Sequence, residues 1–147
     1  MRNVPRVLFL CTGNSCRSQM AEAWTRALHG TRIEAASAGV DPGASIDPRA
    51  LRVMREAGVD VTGQRPKHVH AIADPPFDLV VTVCDQAREA CPVLSGAGRV
   101  VHRAFDDPPR LAATATTEDE ALAPYRRVRD EIRALVEALP ELLDGER

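Results

Sequence analysis

Apolar and polar positions form blocks along this chain, and the blocks have the lengths of strands and helices. The run at residues 78–83 is apolar except for Asp78 and Thr82, which is typical of a strand buried on both faces of a parallel sheet. Shorter apolar runs predict three further strands. The four predicted strands are residues 4–10, 33–38, 78–83 and 99–103.

Between these strands, apolar residues recur at the spacing of a helix face. One helix is predicted over residues 18–28. A second begins at Asp47, with Pro48 at its first position, buries Leu51, Val53, Met54 and Ala57, and ends before Gly58. A short helix is predicted over 86–90, and a long final helix carries an apolar stripe over 122–142. Alternating strands and helices indicate an α/β fold with a parallel sheet in one domain, residues 1–147.

The segment 106–109, Asp-Asp-Pro-Pro, is predicted to be a loop because proline fits neither a helix interior nor a central strand. The loop follows the fourth predicted strand. In open parallel sheets, ligands bind at the carboxyl ends of the strands. Cys11, Cys84 and Asp107 all follow strands in this way, so we expect them at one edge.

Composition narrows the classes of function. Of 147 residues, 44% are hydrophobic and 27% charged, and the net charge of -2 argues against a general nucleic-acid binder. No apolar stretch reaches the length of a membrane span, and no signal-peptide cleavage site follows the first apolar run. We expect a cytoplasmic protein with no membrane partner, in which the four cysteines are reduced thiols.

Residues 10–18 read Leu-Cys-Thr-Gly-Asn-Ser-Cys-Arg-Ser, directly after the first strand and before the first helix. Such a loop directs backbone N–H groups at one point, and the helix N-terminus adds positive potential. Arg17 supplies a planar fork for two oxygens of a tetrahedral anion, and the same field favours the thiolate form of Cys11. Gly13 is expected to permit the turn. We therefore predict a nucleophilic cysteine in an anion-binding loop, whose oxyanion-binding residues are Thr12, Gly13, Asn14, Ser15, Cys16 and Arg17.

The other cysteines allow several interpretations. Their spacings do not match the paired Cys-x2-Cys of structural zinc sites, and we expect no metal site and no cofactor. Cys84 and Cys91 are either inert core thiols or partners of Cys11 in thiol–disulfide exchange. Cys16 is expected to contribute its backbone rather than its sulfur.

Asp107 is a candidate general acid, because a carboxyl beside an apolar wall can stay protonated. The alternatives are an ordinary aspartate in a surface turn, or Asp106 in the same catalytic role.

The segment 7–23 resembles the low-molecular-weight phosphatase superfamily and, more closely, its thioredoxin-coupled arsenate reductases. The resemblance extends over essentially the whole chain, and the three-cysteine set is its most specific part. Further matching segments are Ser37-Ala38-Gly39, the run 79–84, Cys91-Pro92, residues 105–108 and residues 126–132. The resemblance implies a three-layer fold with a four-stranded parallel sheet flanked by helices.

The resemblance also implies a mechanism. Cys11 attacks arsenate in the anion loop, Ser18 assists the thiolate, and Asp107 protonates the leaving oxygen. Cys84 then attacks Cys11 and arsenite leaves; Cys91 attacks Cys84, and thioredoxin reduces the resulting disulfide. Phosphate and sulfate are expected to compete with arsenate, since the loop alone cannot distinguish these anions.

Three alternatives remain open on the sequence. The first is a tyrosine phosphatase of the same fold. Against it stand the low aromatic content of 3% and the residues directly after Asp107, which are Pro108-Pro109-Arg110 rather than aromatics that could wall a phenyl ring. The second is a cysteine phosphocarrier module of a sugar transport system, which needs neither a general acid nor further thiols. The third is a redox-sensing or anion-binding protein without turnover.

The resemblance implies a supporting set around the loop, formed by Asn14, Glu22 and Ser37. Some relatives are thought to bind potassium there with an aspartate, and the matching position is Lys67. We expect the Lys67 ammonium to lie beside Glu22 and the Asn14 amide oxygen and to replace that cation. The alternative is that Lys67 lies in a basic surface loop with Arg65 and His68 and points to water.

Overall fold

Four parallel strands form the centre of the computed structural model, which describes residues 4–72, 76–84 and 99–145. The strands are β1 (Arg6–Cys11), β2 (Glu34–Gly39), β3 (Leu79–Thr82) and β4 (Val100–His102). Their order in the sheet is β2-β1-β3-β4, and every neighbouring pair is parallel. All four predicted strands are confirmed, with ends shifted by one or two residues.

Five α-helices accompany the sheet in these ranges. They are α1 (Arg17–His29), α2 (Pro48–Glu56), α3 (Pro108–Ala112), α4 (Glu118–Glu137) and α5 (Leu139–Leu143). A large apolar cluster joins one face of the sheet to the helices, and α1 packs on α4. A smaller cluster covers the opposite face around Leu8, Leu10 and Phe77. The α/β architecture with a flanked four-stranded parallel sheet is therefore confirmed.

Helix α2 begins as the sequence predicts. The Asp47 side chain accepts a hydrogen bond from the Arg49 N–H at 2.8 Å, and Gly58 ends the segment with a φ of 84°. Of the four expected buried positions, Val53 and Met54 are buried and Leu51 is partly buried, whereas Ala57 is exposed and its prediction is wrong. The predicted helix at 86–90 lies outside the described residues.

The prediction of a loop over 106–109 is confirmed for Asp106 and Asp107 and wrong for Pro108 and Pro109, which open helix α3. The first residues of a helix have no carbonyl partner for their N–H groups, so proline loses nothing there. Asp107 becomes the residue that precedes the helix.

The predicted final helix is two helices that meet at Ala138. Pro140 has no N–H to continue the hydrogen-bond ladder toward the Val136 carbonyl. The imidazole of buried His29 donates to that carbonyl instead, at 2.7 Å. The apolar stripe is still buried on both sides of the break.

Within the three described ranges, no helix is both long and apolar enough to cross a bilayer.

Candidate active site

The anion loop (residues 11–17) begins at the last residue of β1 and ends at the first residue of α1. Its position follows from the fold, since β1 is a central strand and its carboxyl end lies at the edge where ligands bind. Asp107 follows β4 at the same edge, and Cys84 follows β3. The predicted grouping of three strand ends is thus present in the topology.

Every carbonyl from residue 12 to residue 16 is bound by a donor outside the loop. Three donors are backbone N–H groups of the 41–47 loop, one is a helix N–H, and one is a side-chain amide. The pairs, each at 2.9 Å, are Thr12 with Asp41, Gly13 with Gly43, Asn14 with the Gln19 side chain, Ser15 with Asp47, and Cys16 with Met20.

These outward carbonyls fix the direction of the N–H groups. In a trans peptide the C=O and the following N–H point in opposite directions. The N–H groups of residues 13–17 are therefore directed away from the supporting segments. One is seen directly, because the Asn14 N–H lies 3.3 Å from the Cys11 Sγ atom. The loop presents convergent donors that suit a tetrahedral anion.

The backbone strain of the loop falls on Asn14. Among the described non-glycine residues, Asn14 alone has a positive φ, of 50°. Gly13 does not, and a Cβ there would meet only the Ser15 Oγ at 3.6 Å. The expectation that Gly13 permits the turn is therefore wrong. Asparagine tolerates the left-handed region better than most residues, because its side chain can bond locally.

Both polar atoms of the Asn14 side-chain amide form hydrogen bonds. Its Nδ2 donates to the Ser18 Oγ at 2.8 Å, and its Oδ1 accepts from the Lys67 backbone N–H at 3.0 Å. Ser18 in turn lies 2.9 Å from the Cys11 Sγ. Because the Ser18 oxygen already accepts from Asn14, its hydroxyl hydrogen is free to point at sulfur. Cys11 is a buried free thiol, 4% exposed.

Arg17 joins the loop to the segment that carries the candidate acid. Its guanidinium donates to the Phe105 carbonyl at 3.0 Å and lies 3.8 Å from an Asp107 carboxylate oxygen. A cavity of about 270 Å³ is lined by residues 11–17, Asp107 and Pro109. Asp106 is not among the lining residues; it is held by Arg127 at 2.9 Å. Of the two aspartates, Asp107 is the one that faces the site.

Cys16 has surroundings unlike those of Cys11. Its side chain is buried, and burial, followed by the negative charge of Asp47, raises the pKa of its thiol well above the ordinary value. Asp47 also accepts a hydrogen bond from the Tyr125 hydroxyl. These surroundings keep Cys16 protonated, which agrees with a role for its backbone rather than its sulfur.

Cys84 is disulfide-bonded, whereas Cys11 and Cys16 are free thiols. All three belong to the large apolar cluster. Cys91 lies outside the described residues.

Glu22 and Ser37 form a buried pair beside the loop, with the Ser37 hydroxyl donating to the carboxylate at 2.6 Å. The expected contact between the Lys67 ammonium and the Asn14 amide oxygen is wrong. That oxygen accepts the backbone N–H of Lys67 instead. The ammonium donates to the Arg65 carbonyl at 3.0 Å. The reason is that the Lys67 backbone lies against Gly39 at the end of β2, where its carbonyl accepts the Gly39 N–H.

The cation that pairs with Glu22 is Arg26, whose guanidinium lies 2.5 Å from the carboxylate. Burial lowers the pKa of the Lys67 ammonium, and nearby Glu22 opposes the shift. Sequence reasoning did not single out Arg26, although it follows Glu22 by one helical turn, a spacing that commonly pairs opposite charges.

Two other supporting residues were missed, Gln19 and Gln64. Gln19 is fully buried, and a polar residue on the buried face of α1 is the signal that could have indicated it. Gln64 comes from a polar loop, and only the tertiary structure places it near Gln19. In the part of the chain that the structure describes, no three His, Cys, Asp or Glu side chains cluster as metal ligands.

Comparison with known proteins agrees with this geometry. Residues 6–147 match the low molecular weight phosphotyrosine protein phosphatase family. An arsenate reductase of Halalkalibacterium halodurans is 39% identical over 135 residues, which cover 92% of this chain and 94% of the relative.

Solved structures show the same fold. A structure of an arsenate reductase in the phosphate binding state superimposes with a TM-score of 0.79 at 26% identity, over 95% of this chain and 99% of that one. The thioredoxin-dependent arsenate reductase of Corynebacterium glutamicum has the same fold, with a TM-score of 0.72 at 24% identity, over 98% of this chain and 64% of that one. The chain therefore belongs to the low molecular weight phosphotyrosine protein phosphatase family and is similar, over most of its length, to the arsenate reductases.

Proposed function

We propose that this chain is an arsenate reductase that uses Cys11 as nucleophile and Cys84 and Cys91 as a disulfide relay. One observation carries the proposal: a free thiol, Cys11, lies in an anion loop, and a second, disulfide-bonded cysteine, Cys84, lies in the same buried cluster. Hydrolysis of a phosphate ester requires only the first of these. Reduction of an oxyanion requires both, because two thiols must supply two electrons.

In the first step, the Cys11 thiolate attacks arsenic in the anion loop. A sulfur–arsenic bond forms and an arsenic–oxygen bond breaks, with the oxygen leaving as water after it takes a proton from Asp107. Arg17 and the loop N–H groups hold the remaining oxygens. Arsenic is still pentavalent at this stage.

In the second step, the Cys84 thiolate attacks the Cys11 sulfur. A disulfide forms, the sulfur–arsenic bond breaks, and its electron pair stays on arsenic, which leaves as arsenite. Cys91 then attacks the Cys84 sulfur and displaces the Cys11 thiolate. The relay then ends in a Cys84–Cys91 disulfide, which joins two of the four cysteines of the chain.

A dithiol reductant must return Cys84 and Cys91 to thiols, and we assign that role to thioredoxin. The transfer is thiol–disulfide exchange, in which the two electrons of the reductant's dithiol reduce the Cys84–Cys91 disulfide.

The walls of the cavity favour an inorganic anion over an aryl phosphate. The described lining residues are those of the anion loop with Asp107 and Pro109, and none of them is aromatic. A phosphotyrosine ring gains binding energy from aromatic neighbours, and these residues offer none. Phosphate and sulfate, which have the shape of arsenate, are expected to compete.

A coupled assay tests the proposal. Reduced protein is mixed with arsenate, thioredoxin, thioredoxin reductase and NADPH, and we expect NADPH to be consumed only when arsenate is present. Cys11→Ser is the control, because serine does not form the reactive anion at neutral pH. Hydrolysis of p-nitrophenyl phosphate without arsenate-dependent NADPH consumption would instead assign the chain as a phosphatase.

A further inference from the structure

We infer that Gln19, supported by Gln64, is a positioning residue that sets the direction of one anion-binding N–H group. The inference rests on the proposed function of the anion loop and adds a determinant of its affinity for oxyanions. Gln19 would contact neither the anion nor the reacting sulfur; it acts through the backbone of Asn14.

The carbonyl of Asn14 differs from the other carbonyls of the loop. Residues 12, 13, 15 and 16 are held by backbone N–H groups, which almost any sequence supplies. The Asn14 carbonyl alone among residues 12–16 has a side-chain donor in the described hydrogen bonds, the Gln19 Nε2 at 2.9 Å. Here the geometry of the loop depends on which side chain occupies position 19.

The peptide that Gln19 holds is also the strained one. Asn14 has a φ of 50°, so this backbone needs external contacts to keep its conformation. The peptide between residues 14 and 15 carries the Ser15 N–H, which points opposite to the carbonyl that Gln19 binds. Rotation of this peptide would turn the Ser15 N–H away from the anion. It would also disturb the adjacent Asn14 N–H, which lies 3.3 Å from the Cys11 sulfur.

Gln19 itself is held in one orientation. Its side chain is fully buried, and its Oε1 accepts from the Gln64 Nε2 at 2.7 Å. The same Gln64 nitrogen lies 3.1 Å from the Gln19 backbone carbonyl, and the Gln64 oxygen accepts from Arg26 at 3.1 Å. These contacts direct the Gln19 Nε2 toward Asn14, because the amide oxygen is already used on the other side.

The test measures phosphate binding by protection of Cys11. Reduced protein is alkylated with iodoacetamide over a range of phosphate concentrations, and fragment-ion mass spectrometry reports the fraction modified at Cys11 and, separately, at Cys16. Rates are normalised to the rate without phosphate. Gln19→Met keeps the length of the side chain and removes the donor.

We expect Gln19→Met to require about 10- to 100-fold more phosphate for half protection, the effect of losing one hydrogen bond to a charged group. Gln64→Met should also raise the phosphate concentration needed for half protection, by a smaller factor. Thr25→Val is the matched control, because Thr25 is buried on the same helix and its hydroxyl donates, among the described residues, only to the helix carbonyl of Ala21. It should bind phosphate as the parent does, even if its melting temperature falls.

If Cys11 of Gln19→Met is half protected at the same phosphate concentration as Cys11 of the parent, the positioning role is refuted. If Gln19→Met does not fold, Gln64→Met decides, and parent-like protection in that variant refutes the role equally. Failure of phosphate to protect the parent would refute the anion loop itself, and this inference with it.

Discussion

Asp106 and Asp107 are neighbours in sequence with different surroundings. Asp107 lines the cavity 3.8 Å from the Arg17 guanidinium, and its side chain is 37% exposed. Asp106 points to Arg127 on α4, where both side chains are about half exposed. An exposed ion pair of this kind contributes little stability. The sequence left both residues as candidate acids, and the geometry favours Asp107.

Asp107→Asn is therefore expected to lower the rate of arsenate reduction by about two to four orders of magnitude, the usual contribution of general acid catalysis. The fold should survive, because asparagine fits the same position before a helix. Steady-state NADPH consumption under saturating thioredoxin measures the effect.

Asp106→Asn is the matched control and should change the rate by less than about threefold, since it removes only a surface ion pair. A severe loss in Asp106→Asn with near-normal turnover in Asp107→Asn would exchange the two assignments.

At this scale, sequence reasoning located the candidate reactive residues better than the residues that support them. Cys11, Arg17 and Asp107 were proposed from residue types and spacing that suit anion chemistry, and all three line one cavity. The strained position was assigned to Gly13 instead of Asn14, because glycine is the usual choice for a positive φ and the contacts that hold Asn14 come from distant segments. Arg26, Gln19 and Gln64 meet only after folding.

The end of strand β2 supports the anion loop through close backbone contact. Gly39 pairs with Cys11 across the sheet, and a Cβ at Gly39 would lie 2.4 Å from the Thr12 carbonyl oxygen. That carbonyl also accepts the Asp41 N–H, so it cannot move without loosening the 41–47 loop. Only glycine leaves room at this position.

Gly39→Ala is expected to lower the free energy of unfolding by about 1–3 kcal/mol, the typical cost of overpacking. It should also weaken phosphate protection of Cys11, because the Thr12 peptide must shift. Urea denaturation and the alkylation assay measure the two effects.

Gly63→Ala is the control, since a Cβ at that position meets nothing within 4 Å. Unchanged stability and unchanged phosphate protection in Gly39→Ala would show that the loop does not depend on this close approach.

Helices α2 and α4 are joined by ion pairs that predict a pH dependence. The Arg126 guanidinium, 2.9 Å from Glu56, lowers the pKa of that carboxyl below its ordinary value of 4.5, and Arg49 does the same for Glu118. A carboxyl with a depressed folded pKa stabilises the fold above its unfolded pKa, and this stabilisation is lost as the pH falls through the folded pKa. Both carboxyls are exposed, so the effect is modest.

Glu56→Gln should therefore lower the melting temperature near neutral pH and flatten its fall between about pH 5 and pH 3. Glu141→Gln, which removes an exposed carboxylate from α5, serves as the control. Its melting temperature should match that of the parent at each pH. A melting curve for Glu56→Gln that parallels the parent at every pH would mean that the pair does not stabilise the helix contact.

Helices and strands were predictable where periodicity was long and unbroken, and the errors fall at Pro108, Pro109 and Pro140. Pro108 and Pro109 suggested a loop because the sequence does not say which side of a helix start they occupy. Pro140 breaks the final helix, although the apolar stripe continues across it. In both cases the outcome depends on whether the helix needs a backbone N–H at the proline position. The first turn of a helix does not need one, and the sequence alone does not show where that turn lies.

At the scale of the whole molecule, the strand order brings separate segments to one edge. β1 lies between β2 and β3, so the anion loop is flanked by the 41–47 loop on one side and by Cys84 on the other. β4 adds the segment with Asp107 beyond β3. Because alternating strands and helices imply a parallel sheet, this convergence could be expected from the sequence, whereas the contacts within it could not.

We propose that one chain reduces arsenate with its own thiols, and this proposal fixes the stoichiometry of the reaction. It is tested most directly by adding one equivalent of arsenate to fully reduced protein, with no external reductant, and then measuring arsenite and free thiols. We expect about one arsenite per chain, a fall in free thiols from four to two, and a peptide pair that links Cys84 to Cys91. Arsenate recovered unchanged with all four thiols free, or a disulfide that joins Cys11 to Cys16, would contradict it.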